Sequence, residues 1–130
     1  MTMTTDLQML LAASLLSLLQ FVPYFLAYLK HWGISGIVGN RENMPALPAW
    51  ANRARDAQSN LNENLIHFAA FVLIAHILGL SNEMSALGAS IFFYSRLAYW
   101  VIYIAGITWL RTMAFLAGLV GEILVILQLF

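Results

Sequence analysis

The sequence predicts an all-α integral membrane protein in which one chain forms a four-transmembrane-helix bundle. Composition is the first reason: 62% of the 130 residues are hydrophobic and 9% charged, with a mean hydropathy of +0.79. Soluble domains carry about a quarter charged residues, and a domain this small leaves too much surface exposed to hide so much apolar side chain. The second reason is the placement of the charges, which leaves apolar runs of membrane-spanning length. The third is that the basic residues flanking those runs fall on one side. These features exclude a water-soluble enzyme, a disordered chain and a nucleic-acid binder. Six basic against six acidic residues leave no net charge to attract a polyanion. With no cysteine, disulfides, thiolate metal sites and a cysteine nucleophile are excluded as well.

A helix needs roughly 20 apolar residues to cross a bilayer core. Leu7 to Leu29 contains no charge and makes the first span, residues 7–29. It is too long, and lacks the preceding basic residues, for a cleaved signal peptide. Pro23 inside it predicts a kink, because proline removes a backbone donor. Residues 30–56 read as a loop holding six of the twelve charges, two of the three prolines, and Gly33, Gly36 and Gly39. Leu65 to Leu80 is apolar apart from His67 and His76, but short. Its helix therefore begins upstream, near Trp50 to Ala54, and the second span covers about 54–80. Ser81-Asn82-Glu83 is the next turn. From Met84 to Phe130 only Arg96, Arg111 and Glu122 are charged, which fits two spans, 84–105 and 108–129, joined at Gly106-Ile107-Thr108. No internal repeat appears, so residues 1–130 form one domain.

Lys30, Arg41, Arg53, Arg55 and Arg111 lie on the side of the first loop and the third turn, and the opposite side has no lysine or arginine. The positive-inside rule then puts both termini outside and the long loop in the cytoplasm. A short chain with no targeting segment suits a bacterial inner membrane.

Ionisable residues within spans cost several kcal/mol, roughly +2.5 to +3.5 on insertion scales, unless they face protein or water. At 100° per residue, Arg53, Asp56, Asn60, Glu63, Asn64 and His67 share an arc of roughly 100° on the second helix. Arg55, Gln58 and Asn62 occupy its far side, so this half of the helix is polar nearly all round and needs protein on several sides. That need points to a homo-oligomer. On the third helix Arg96, Tyr99 and Tyr103 share a face. Counting 1.5 Å per residue puts Glu63 and Arg96 both roughly 12–14 Å deep, a level at which they can form an ion pair. Asn60 and Tyr99 match at a shallower level, and Arg111 is shallower still. The expectation is one polar cavity open to the cytoplasm, reached by polar molecules from water and by apolar ones from lipid. Glu122 stands alone in the fourth helix and reads as structural. His76 reads as a core histidine, and no spacing suits a metal site.

The run from Arg53 to Asn64, Arg-Ala-Arg-Asp-Ala-Gln-Ser-Asn-Leu-Asn-Glu-Asn, resembles the signature of the membrane-associated proteins in eicosanoid and glutathione metabolism (MAPEG). Arg96-Leu97-Ala98-Tyr99-Trp100-Val101-Ile102-Tyr103, with Arg111 following, resembles the second run of that family. The resemblance covers nearly the whole chain. It implies a homotrimer with sites between subunits on the cytoplasmic side, binding glutathione as co-substrate without a metal. Catalytic members conjugate its thiol to lipophilic electrophiles, reduce lipid hydroperoxides or isomerise endoperoxides. Carried over by position, Asn60, Glu63, Arg96, Tyr99 and Tyr103 would hold the tripeptide, with Arg53 as a further cation on the stripe and Gln58 and His31 as weaker candidates. Arg111 would activate the thiol, with Thr112 donating a hydrogen bond to the sulfur.

Asp56 stands where the family pattern has an arginine, exchanging a cation for an anion. That departure keeps open a second reading, a non-catalytic lipid-binding or scaffold member. A small proton-coupled exporter is the third; such proteins need a carboxylate in the first span, and residues 7–29 carry none.

Overall fold

The computed structural model describes residues 2–130. Among them every regular element is helical: α1 (Thr5–Leu19), α2 (Phe21–Val38), α3 (Ala49–Ile77), α4 (Glu83–Ala105) and α5 (Thr108–Ile126), with a closing 3-10 turn at Leu127–Leu129. Three helical segments are long and apolar enough to cross a membrane, namely Thr5–Val38, Glu83–Ala105 and Thr108–Leu129. Helix α3 has the length, 29 residues, but its first half is too polar to qualify by composition alone.

The expected first span is a broken rod. Pro23 has no N–H for the Leu19 carbonyl and its ring presses on that carbonyl, so α1 ends at Leu19. Gln20 keeps helical dihedrals (φ −63°, ψ −19°) and α2 continues from Phe21. The rod also runs past residue 29. Residues 30–38, expected as loop, are helical up to Val38, with a second irregularity at Gly33 (φ 68°, ψ 177°). The connecting loop therefore shrinks to residues 39–48. It is tied back onto α2 by Trp32, whose indole N–H donates to the Pro45 carbonyl at 2.9 Å while its ring stacks on Tyr28 at 4.5 Å.

Helix α3 starts at Ala49 and ends at Ile77, and turns at residues 78–82 and 106–107 lead into α4 and α5. Asn82 caps α4, its side-chain oxygen accepting from the Met84 and Ser85 amides while the Ser85 hydroxyl accepts from the Asn82 amide. This reciprocal box satisfies donors a helix start leaves open. At the other end Gly106 adopts φ 81°, a left-handed cap that a β-carbon would strain, and Ile107 leads directly into α5.

The core lies where α1, α3, α4 and α5 meet, around Ala13, Leu16, Leu61, Phe68, Val72, Phe92 and Val125. Phe68 and Phe92 stack with centroids 3.9 Å apart. Outside it the surface is greasy: Leu18, Ile66, Ile77, Val101, Trp109 and Met113 are all exposed on the single chain.

Glu122, expected to have a structural partner, is buried and paired across the bundle with His67, Nδ1 to Oε1 at 2.8 Å. Polar contacts within membranes contribute about 1 kcal/mol on average. His67→Ala should therefore lower the unfolding midpoint in detergent by an amount that Glu122→Leu, which removes the stranded carboxylate, partly restores in the double variant.

Candidate functional site

The first half of α3, the last third of α4 and the first turns of α5 converge on two open hollows that share Asn60 and Tyr99. The first, about 240 Å³, is lined also by Asp56, Ser59, Glu63 and Tyr103. The second, about 200 Å³, adds Arg111, Thr112 and Phe115. The combined cleft carries acids on its α3 side and a guanidinium on its α5 side, with tyrosines between.

Arg96 anchors the floor. It is 2% exposed, and a buried guanidinium needs both hydrogen bonds and polarisable neighbours. One terminal N–H group donates to Asn60 Oδ1, and the cation lies 4.4 Å over the Tyr99 ring and 5.6 Å from that of Phe115. Asn60 in turn has its backbone carbonyl bonded by the Asn64 amide group at 2.7 Å. Arg111 is stacked in the same way, 4.4 Å over Tyr103. Thr112 donates back to the Thr108 carbonyl at 3.2 Å, leaving its oxygen free to accept.

The expected Glu63–Arg96 ion pair does not form. The ion pairs among the described residues are Arg55–Asp56 and His67–Glu122. Arg96 turns instead to Asn60, less than one helical turn from Glu63, where its cation sits beneath Tyr99. Glu63 stays on the exposed rim with only the Ser59 hydroxyl near it, at 3.5 Å. Matching depth along two helices fixes a level but not where a long flexible side chain ends.

Three expected site residues lie apart from the cleft. Arg53 donates Nε–H to the Ile104 carbonyl at 3.0 Å, closing the C-terminal end of α4, where a cation suits the helix dipole. Gln58 accepts from the Tyr24 hydroxyl and donates to the Ser17 carbonyl at 2.7 Å. His31 sits in a separate hollow of about 300 Å³ with Lys30, Pro48 and Trp50. Asn62 likewise accepts from the Ser17 hydroxyl. Gln58 is thus half-buried against the chain's own α1–α2 junction, while Asn62 bonds to the same junction but stays exposed. Losing a hydrogen bond of this kind costs about 1 kcal/mol, so Arg53→Ala should lower the unfolding midpoint slightly while leaving ligand affinity at the cleft unchanged by calorimetry.

Sequence reasoning missed Ser59 and Phe115 as lining residues. Phe115 was findable, since it lies four residues after Arg111 on the same helical face. Among the described residues no group of three or more histidine, cysteine or acidic side chains is placed to hold a metal ion.

A family model described as the MAPEG family matches residues 7–130. The chain belongs to the MAPEG family. No curated protein and no solved structure gives a significant match. MAPEG membership and three membrane-length apolar helices make this an integral membrane protein. The family generally uses glutathione, and includes glutathione transferases and peroxidases as well as non-catalytic members.

Proposed function

We propose that this MAPEG protein is a membrane-bound glutathione-dependent transferase or peroxidase acting on lipophilic electrophiles or hydroperoxides. The observation that carries the reading is the cleft with Asn60 and Tyr99 at its centre, Asp56 and Glu63 on one flank, and Arg111 with Thr112 on the other. Glutathione carries two carboxylates, an amine and a thiol. Glu63 and Asp56 suit the amine, because neither has a close cation beyond the exposed Arg55 contact at 3.5 Å. Tyr99, Tyr103 and Asn60 supply donors for carboxylates from the lining, with the positive charge of the buried Arg96 behind them. The chemistry of the donors fits the tripeptide.

In this reading Arg111 holds the sulfur as its anion. A thiol with a pKa near 8.5 is mostly protonated at neutral pH, and a cation beside it favours the thiolate, which is the nucleophile. Thr112 gives up its 3.2 Å bond to the Thr108 carbonyl and donates to the sulfur anion instead, and the thiol proton leaves to water at the open mouth. The thiolate then forms a sulfur–carbon bond as the leaving group departs, or attacks the terminal oxygen of a hydroperoxide, breaking the O–O bond. The alkoxide takes a proton from water to leave as the alcohol, and a second glutathione converts the resulting sulfenic acid to the disulfide and water.

The wider architecture belongs to the same proposal. The chain is one domain with four spans, α3 being the fourth to cross, and both termini lie opposite the cytoplasmic cleft in a bacterial inner membrane. Asp56, Ser59, Glu63 and His67 are exposed on the single chain, and lipid disfavours ionisable groups. Neighbouring α3 helices in a homotrimer would cover them. Gln58 and His31 would reach a site only across such an interface.

Asp56 favours the second reading, a non-catalytic lipid-binding or scaffold member, because it puts a second anion into the cleft beside Glu63. Calorimetric titration of glutathione into detergent-solubilised protein decides between them. Saturable binding, with conjugation of a panel of lipophilic electrophiles, supports the enzyme. Negligible binding by a correctly folded oligomer favours the scaffold.

A further inference from the structure

At the far end of the bundle from the Asn60 cleft, the first turn of α1 meets the first turn of α4. A hollow of about 250 Å³ opens between them, lined by Thr4, Asp6, Ser81 and Glu83 among others. Asp6 is 2% exposed, and its Oδ2 has no hydrogen-bond partner among the described residues. The Thr4 and Ser81 hydroxyl oxygens are buried and unpartnered as well. Three residues from two separate chain segments thus line one hollow, each with a buried oxygen that makes no hydrogen bond among the described residues.

A buried carboxylate without a partner costs several kcal/mol, and nearby hydroxyls ordinarily turn to donate to it. Here neither donates to it, so all three oxygens are left for a further partner to satisfy. Asn82, which also lines the hollow, is excluded from that role: its side-chain oxygen caps α4 and its amide donates to Gln128 Oε1 at 2.8 Å. Glu83 brings a second carboxylate on the exposed side. All these candidate donors are hard oxygens, two of them anionic, with no imidazole or thiolate at the hollow. Such a set selects a hard divalent cation of the calcium type over zinc or iron. At about 30 Å³ per water the hollow also has room for several waters to complete a coordination shell.

We infer that Asp6, Thr4, Ser81 and Glu83 form a cation site, of calcium class, that fastens the start of α1 to the start of α4. This site is independent of the chemistry proposed at the Asn60 cleft. A bound ion would join two elements far apart in sequence, and binding to the folded state alone raises stability by mass action.

Full-length protein in detergent is stripped with chelator and titrated with calcium chloride, with binding followed by calorimetry and stability by thermal unfolding. The expected result is one calcium per chain with a raised unfolding midpoint. Asp6→Asn should weaken binding about tenfold or more, as loss of a metal-supporting group does. Ser81→Ala, in a half-buried turn that tolerates the change, should weaken it several-fold and keeps the test decisive if Asp6→Asn does not fold. Glu42→Gln, in the loop at the opposite end, should leave binding unchanged. Wild-type protein that takes up no calcium saturably at millimolar concentration overturns the site. So does calcium binding that Ser81→Ala and Asp6→Asn both leave intact.

Discussion

Arg111→Ala is expected to abolish the ultraviolet thiolate band that appears when glutathione is added, and to lower conjugation about a hundredfold or more. The magnitude is that of removing one group aimed at developing charge. Arg111 is stacked over Tyr103 at 4.4 Å and shares its hollow with Thr112, Asn60 and Tyr99. In the proposed reading the tripeptide's remaining contacts would fall to Asn60, Glu63, Arg96 and the tyrosines. Glutathione affinity should therefore fall far less than turnover, the pattern of an interaction made chiefly in the reacting state. Arg111→Lys keeps a positive charge but not the flat stack on Tyr103, and should retain part of the thiolate signal. An undiminished band in Arg111→Ala would sink the role given to this arginine. Loss of binding and turnover in equal measure would make Arg111 a binding residue only.

The polar stripe of α3 was legible because lipid makes ionisable residues conspicuous: Asp56, Asn60 and Glu63 stand out against an apolar background, and the structure brings them to one cleft with Tyr99 and Tyr103. What the sequence hid is pairing. His67 and Glu122 lie 55 residues apart on different helices, and nothing in either helix alone names the other. Glu63 and Asn60 differ by less than one turn, so counting rise per residue could not decide which of them Arg96 would take. Helix ends were hidden for another reason. A drop in hydropathy at Lys30 marks where a chain can leave lipid, not where its backbone hydrogen bonds stop, and α2 continues to Val38. The break between α1 and α2 was readable in kind from Pro23, because the lost donor and the ring clash both fall on the carbonyl four residues earlier.

The largest effect on stability is expected from Gly121→Leu. A β-carbon at Gly121 would come within 2.5 Å of the Gly88 carbonyl oxygen and 2.7 Å of the Phe92 amide nitrogen. Both are backbone atoms and neither can swing aside. The reciprocal contact is equally close, since a β-carbon at Gly88 would lie 2.5 Å from the Gly121 carbonyl oxygen. Helices α4 and α5 therefore cross with their backbones touching. Association within lipid relies on close packing rather than on a hydrophobic driving force, so forcing this crossing open removes what joins the two helices. Overpacking a tight contact costs about 1–3 kcal/mol and occasionally more; a leucine against immovable backbone belongs at or above the upper end. The unfolding midpoint in detergent should drop sharply. The cleft should fail with it, because α4 carries Arg96 and Tyr99 while α5 carries Arg111 and Thr112. Gly118→Ala supplies the contrast: its nearest obstacle is the Ser95 hydroxyl at 2.9 Å, the end of a side chain that can rotate, and its midpoint should shift much less. A Gly121→Leu protein with a wild-type midpoint and intact glutathione binding would mean that α4 and α5 do not meet at these glycines.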